Sequence, residues 1–201
     1  MGKIFVFMGK SSSGKDTIFK IVSDDLKDIM TTTLYTTRPA REGEINGVDY
    51  YFVSNETHKQ MLEENLVIES RSYNTAHGVW TYFTAANNID LKHNSYMIIN
   101  TLEGYESFKK YYGEDKIVPI YIEVEDGIRL GRALLREKKQ TPPKYKELCR
   151  RFLADQEDFS EEKLTQSKIT ERFNNDDLLE CVLAIENKIT ETLEKEKQYQ
   201  V

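Results

Sequence analysis

The sequence predicts an α/β fold in which a parallel sheet carries helices on both faces. Two observations lead there. Apolar runs of strand length alternate along the 201 residues with longer segments of helical period. The first run, IFVFM at residues 4–8, passes through GKSSSGKDT at residues 9–17 into a helical segment, the strand–loop–helix order of a phosphate-binding βα turn.

In chain order, strands are expected over residues 3–8, 31–36, 95–100, 116–123 and 168–173, where β-branched, aromatic and other apolar residues cluster. Helices are expected over 15–28, 102–112, 126–138, 143–158 and 176–196, with Asp126, Thr141 and Asp176 as N-caps. Two regions break the alternation. Residues 50–54, 66–73 and 79–84 read as short strands with little helix between them, a small β-rich lobe covering residues 34–84. Residues 129–151, RLGRALLREKKQTPPKYKELCRR, form a dense basic pair of helices around Pro142-Pro143, suited to closing over an anion. No repeat or low-complexity segment appears.

With 39% hydrophobic and 31% charged residues, the composition is that of a soluble globular protein with one well-packed domain. The net charge of -6 argues against general nucleic-acid or anionic-membrane binding, so an anionic ligand needs a local basic cluster. Cys149 and Cys181 are far apart in sequence and are expected to be reduced thiols on helices, which fits a cytoplasmic protein. The apolar run near the start is too short for a signal segment, no stretch is long enough to span a bilayer, and MGKIFV lacks the Ser or Thr of a myristoylation site. His58, His77 and His93 are scattered and are expected at the surface.

The spacing Gly9-x4-Gly14-Lys15 turns backbone N–H groups of the loop inward, and the helix that follows adds the partial positive charge of its N-terminus. Gly9, Ser11, Ser12, Ser13, Gly14, Lys15, Asp16 and Thr17 are therefore the expected ATP-binding loop, with Lys15 reaching the outer phosphates. Asp16 stands where a hydroxyl normally faces magnesium. A bare carboxylate there would repel phosphate. It must either hold the metal, the favoured reading, or point away along the helix while Thr17 meets the nucleotide.

A second anion site follows in TTRPAREGEINGVDYYFVS, residues 36–54. Arg38 and Arg41 lie three apart on a glycine-bearing segment, where two guanidinium forks could grip one phosphate. With this block the chain resembles the guanylate kinase family, whose pattern is a phosphate loop followed by TTR-x-x-R-x-GE-x-G-x-DY-x-FVS. The likeness continues through Glu69 in LVIES, the lid-like RALLREKK and RRFLADQEDF, and NNDDL, nearly the length of the chain. It implies a three-layer P-loop NTPase core (1–33, 85–125 and 156–201), a nucleoside-monophosphate lobe (34–84) and a helical lid (126–155). It further implies ATP-dependent, magnesium-assisted phosphorylation of GMP or dGMP by a monomer or homodimer that binds small nucleotides, with no nucleic-acid or membrane partner. Arg38, Arg41, Tyr50 and Tyr82 would hold the GMP phosphate, and Glu69 would accept N1–H and N2–H of guanine. Thr101, with Asn100 one of the two nearest polar groups, would join the GMP site, Arg132, Arg136 and Arg151 would meet the migrating phosphoryl group, and Asn175 would lie near adenine.

The chain also departs from the family pattern. Leu34 replaces a hydroxyl that normally contacts guanine, MIINTLEG replaces an acidic LDID strand, leaving Asn100 and Thr101, and HGVWTYFT replaces GxYYGT. Two rivals follow: a kinase of the same shape acting on another nucleoside monophosphate, and a catalytically inactive binding module. The intact Gly9, Gly14 and Lys15 weigh against the second.

Overall fold

A computed structural model describes residues 2–75 and 78–198; His77 lies outside them. Five parallel strands, β1 (Ile4–Met8), β2 (Met30–Thr31), β7 (Tyr96–Ile99), β8 (Ile117–Glu123) and β9 (Phe173–Asn174), form the core sheet in the order β2-β7-β1-β8-β9. The central strand β1 is buried throughout, and its side chains alternate between two cores. Phe5 and Phe7 meet Ile18 and Val22 of α1 (Lys15–Asp25) and Cys181, Ile185 and Ile189 of α7 (Leu178–Gln198). Ile4, Val6 and Met8 meet Leu102, Tyr105 and Phe108 of α3 (Leu102–Tyr112) and Leu164 of α6 (Glu161–Gln166). The result is a three-layer sandwich. The crossover after β1 runs to one side of that strand and the crossover after β7 runs to the other. A crevice therefore opens beyond the carboxyl end of β1, where α/β sheets bind ligands.

A second sheet of order β4-β3-β6-β5 sits beside the first and uses β3 (Tyr35–Thr36), β4 (Tyr51–Phe52), β5 (Val67–Thr75) and β6 (Gly78–Ala85). It has a small core of its own, Tyr35, Met61, Phe83 and Ala85, with Tyr35 stacked between Tyr51 and Phe83. Ile68 joins the main core instead and ties the two bodies together. The basic segment forms α4 (Asp126–Glu137) and α5 (Tyr145–Asp158). Among the described residues no helix is long and apolar enough to cross a membrane.

Several expectations are corrected. The strand expected over 31–36 is two strands in two sheets: Met30–Thr31 pairs with β7, and Tyr35–Thr36 pairs with β4 and β6. Thr-rich sequence favours extension in either place, and tertiary pairing splits it. The strand over 168–173 shrinks to β9, because Lys168 turns the chain with φ 59° and donates its N–H to the Thr165 carbonyl. Helices α2 (Asn55–Glu63) and α6 were not expected, although each is capped by a serine: Ser54 accepts from Thr57 N–H and Ser160 from Lys163 N–H. The expected caps also shift. Glu125 caps α4, Asp177 rather than Asp176 accepts from Leu179 and Glu180 at the start of α7, and α5 begins at Tyr145, beyond Thr141, with no side-chain cap. Both cysteines are free, Cys149 exposed on α5 and Cys181 buried on α7, where burial pushes its thiol up to about 11. His93 is at the surface beside Asp90, but His58 is half-buried with its ring against Phe83 and its pKa lowered by burial.

Candidate active site

The loop after β1 is shaped by close approaches. A Cβ at Gly9 would stand 2.5 Å from the Ile122 carbonyl oxygen of β8. Gly14, the N-cap of α1, has φ 89°, and a Cβ there would stand 2.4 Å from Asn175 Nδ2. Within this loop Ser12 is itself left-handed at φ 65°. The hydroxyls of Ser12 and Ser13 are buried with no hydrogen-bond partner among the described residues. Lys15 Nζ has Asp16 at 3.8 Å, a loose contact. Unpaired buried hydroxyls, a helix N-terminus and a barely engaged ammonium are what a polyphosphate would satisfy. Asp16 projects outward, its side chain 80% exposed, and Thr17 is exposed beside it. A Gly14→Ala variant is expected to lose on the order of 1–3 kcal/mol of stability and, if the loop holds a polyphosphate, to bind it more weakly. Chemical denaturation and nucleotide titration check this.

The loop is clasped by α4 and α5. Asp155 accepts from both the N–H and the hydroxyl of Ser11, at 2.9 and 3.2 Å. Arg129, only 1% exposed, donates to Asp155 at 3.0 Å, to the Ser11 carbonyl at 3.2 Å and to Asp126, and its guanidinium lies over the Phe152 ring. Lys10 completes the clasp by donating to Gln156 at 2.7 Å. Asn175, expected near adenine, is buried under the loop, where its amide donates to the Ser13 carbonyl at 2.7 Å.

Between α4 and α5, beside the same clasp, a cavity of about 270 Å³ is lined by Ser11, Ser12, Arg129, Arg136, Arg151 and Phe152, among others. Two of the three expected lid arginines thus share a chamber with the phosphate loop. The third, Arg132, donates to the Asn175 carbonyl at 3.1 Å. Glu147 accepts from Arg150 and Arg151 at 2.8 Å, and these guanidinium groups hold its carboxyl down at about 2.

Across the crevice the second sheet gathers Arg38, Tyr50 and Tyr82. Arg38 is 3% exposed, donates its Nε to the Tyr82 hydroxyl at 3.2 Å and lies over the Tyr50 and Phe52 rings. Its fork is held by Glu44 through two bonds of 2.8 and 2.9 Å. Glu44 also accepts from Arg41 N–H at 2.6 Å, while the Arg41 residue is exposed on the turn.

Deeper in the crevice, Glu69 lies opposite Thr84 because a register irregularity in β5 falls between Val67 and Glu69. Thr84 donates to Glu69 at 2.9 Å, and Arg71 donates to it at 3.2 and 3.4 Å. Thr101 caps α3 by accepting from Gly104 N–H, next to Asn100.

A protein-family model described as guanylate kinase matches residues 1–128 of the 201. The chain belongs to the guanylate kinase family. The guanylate kinase of Sulfurimonas denitrificans is 41% identical over 68 residues, 34% of this chain and 33% of that protein. The guanylate kinase of Helicobacter hepaticus is 29% identical over 116 residues, 56% of each. The chain therefore spans between a third and just over half the length of these curated relatives. A solved guanylate kinase from Anaplasma phagocytophilum superposes with a TM-score of 0.57 over 94% of this chain and 85% of that one; at 23% identity the likeness concerns fold alone. That fold agrees with the expected P-loop NTPase architecture. The guanylate kinase sequence match ends in the first turn of α4, so Arg132, Arg136 and Arg151 lie beyond it.

Four engaged residues were missed in the guanylate kinase reading: Glu44, Arg71, Arg129 and Asp155. Arg129 had a signal, since Arg129, Arg132 and Arg136 recur at i, i+3 and i+7 on one helix face. Glu44 stood inside the quoted block, but its pairing depends on the turn at 39–44. Asp155 stood inside RRFLADQEDF, but its pairing with Ser11 spans 144 residues, and Arg71 carried no local signal.

Proposed function

We propose that this guanylate kinase family member transfers the terminal phosphoryl group of ATP to a nucleoside monophosphate, with GMP or dGMP as the acceptor its relatives point to. The observation that carries the reading is the phosphate loop, with its unpaired Ser12 and Ser13 hydroxyls and loosely engaged Lys15, together with Arg136 and Arg151, which share a cavity with Ser11 and Ser12 of that loop. Phosphoryl transfer asks for positioning and charge neutralisation rather than covalent chemistry. Lys15 and the loop N–H groups would hold the β- and γ-phosphates, and the lid arginines would balance charge on the moving group. Asn175 and the Arg129–Asp155 clasp would keep the loop in shape, and Asn175 remains a candidate for the adenine side. On the acceptor side, Arg38, Arg41, Tyr50 and Tyr82 would hold the monophosphate, with Glu69 and Thr101 near the base. The working division is a core (1–33, 85–125, 156–201), an acceptor lobe (34–84) and a lid (126–155), in a cytoplasmic protein. Closure of lobe and lid would exclude water and suppress hydrolysis.

Magnesium would arrive with ATP and supply positive charge between the phosphates. Among the described residues no group of three or more His, Cys, Asp or Glu side chains could cage a metal ion. That suits magnesium, which takes one or two carboxylates along with phosphates and waters. Asp16 is the carboxylate beside the loop. Asp16→Asn is expected to raise the magnesium concentration needed for half-maximal rate several-fold, with metal-free ATP binding unchanged or tighter. An unchanged requirement would leave Asp16 as a helix-terminus acid only.

The deciding experiment is phosphate transfer from ATP to a panel of nucleoside monophosphates. Transfer to none of them would favour the inactive binding module.

A further inference from the structure

Glu69 does not present an open carboxylate. Its side chain is 7% exposed, and its Oε1 receives Thr84 Oγ1 at 2.9 Å, Arg71 Nη2 at 3.4 Å and Asn100 Nδ2 at 3.4 Å. Oε2 receives Arg71 Nε at 3.2 Å. Arg71 and Glu69 are two residues apart on β5 and so share a face of the strand.

Arg71 is fixed from the other side as well. Its Nη2 donates to Asn100 Oδ1 at 2.7 Å, and that oxygen also accepts from Thr101 N–H at 2.8 Å. Asn100 is buried, and its side chain occupies the space over Gly104, where a Cβ would stand 2.1 Å from Oδ1. The guanidinium is thus held between a carboxylate and a buried amide. Its side chain remains 35% exposed and borders a cavity of about 490 Å³ that Tyr73 and Thr101 also line.

We infer that Arg71 is a specificity-determining residue that relaxes the choice of acceptor base by occupying Glu69. This rests on the reading of the crevice as the acceptor site. A carboxylate with both oxygens open demands two adjacent N–H donors, and among the common bases guanine supplies them at N1 and N2. A site built that way rejects analogues strongly, because a wrong base leaves buried acceptors unpaired. Here Arg71, Thr84 and Asn100 already satisfy Oε1. What remains toward a base is one acceptor, Oε2, beside guanidinium donors at Nη1 that bond to none of the described residues. One acceptor next to one donor is a requirement every base meets: guanine with N1–H and O6, adenine with N6–H and N1, cytosine with N4–H and N3, uracil with N3–H and O4. Leu34 offers no hydroxyl that would restore the distinction.

The test measures kcat/KM for GMP, AMP, CMP and UMP with wild type and Arg71→Ala. Arg71→Met, which fills the space without donors, replaces the alanine variant should that fail to fold. Wild type is expected to prefer GMP by less than about tenfold, and the variant by on the order of 10²-fold or more. A merely structural role for Arg71 would lower all four rates together and leave their ratio unchanged. A wild-type preference already at 10²-fold, or a variant no more selective than wild type, overturns the inference. Equilibrium binding of the same four nucleotides is measured separately from turnover. If no phosphoryl transfer occurs but binding is unselective in wild type and guanine-selective in the variant, the inference stands and the kinase reading fails. Absence of binding by all four overturns the inference as well.

Discussion

Lys15→Ala is expected to lower turnover by on the order of 10³-fold while leaving the melting temperature nearly unchanged. The two halves of this result have separate causes. Lys15 Nζ contacts the Asp16 carboxylate at 3.8 Å, and Asp16 is well hydrated, so removing the ammonium leaves no buried acceptor unpaired. Folding then loses little. In the proposed transfer, catalysis would lose a full positive charge in a crevice from which closure would exclude water, and charge there is worth far more than at an open surface. Lys15→Arg should recover only part of the rate, because a planar fork does not fit where a compact ammonium reaches between phosphates. Steady-state kinetics with ATP and the preferred acceptor, alongside thermal melting, read both halves. Turnover within tenfold of wild type would remove Lys15 from the chemistry. A large drop in melting temperature would mean that the ammonium holds the loop together.

What was legible in the sequence was what is local. The helix expected over 102–112 is α3 itself, because its Thr cap, apolar period and terminal Gly113 lie within one short stretch. The phosphate loop was legible for the same reason. Less legible was anything decided by pairing between distant segments. β-propensity marked residues 31–36 as extended but could not say that the chain changes sheets between Thr31 and Tyr35. Glu69 was singled out in the sequence only through the family resemblance. Its engagement was not legible, since that needs the register shift in β5 and an amide 31 residues away. The clasp on the loop has the same character: RRFLADQEDF marks the segment that carries Asp155, but its partner Ser11 lies 144 residues away.

Arg38→Ala is expected to weaken GMP binding by about 2–4 kcal/mol, roughly 30- to 1,000-fold, with little change in ATP affinity. Arg38 differs from Lys15 in being buried and fully employed. Its Nε holds the Tyr82 hydroxyl, its fork holds Glu44, and Tyr50 and Phe52 lie against its plane. Glu44 in turn binds the backbone of the turn that carries Arg41. Truncation therefore removes one proposed phosphate ligand and loosens two others, Tyr82 and Arg41, in a single step. Arg38→Lys should rescue only in part, because an ammonium cannot hold Tyr82 and both Glu44 oxygens together. The acid limb of stability offers a second readout. The Arg38 fork, with the Arg41 N–H, holds Glu44 at about 2, below its ordinary 4.5. A carboxyl depressed on folding contributes stability that is fully present above its unfolded pKa and is lost as pH falls through the folded value. Wild type should accordingly lose this contribution between about 4.5 and 2, and Arg38→Ala should show a shallower fall across that window. Calorimetric titration with GMP and with ATP, and melting curves across that pH range, measure the two effects independently. Normal GMP affinity with an altered acid limb would confine Arg38 to shaping the turn and leave the phosphate to Arg41, Tyr50 and Tyr82.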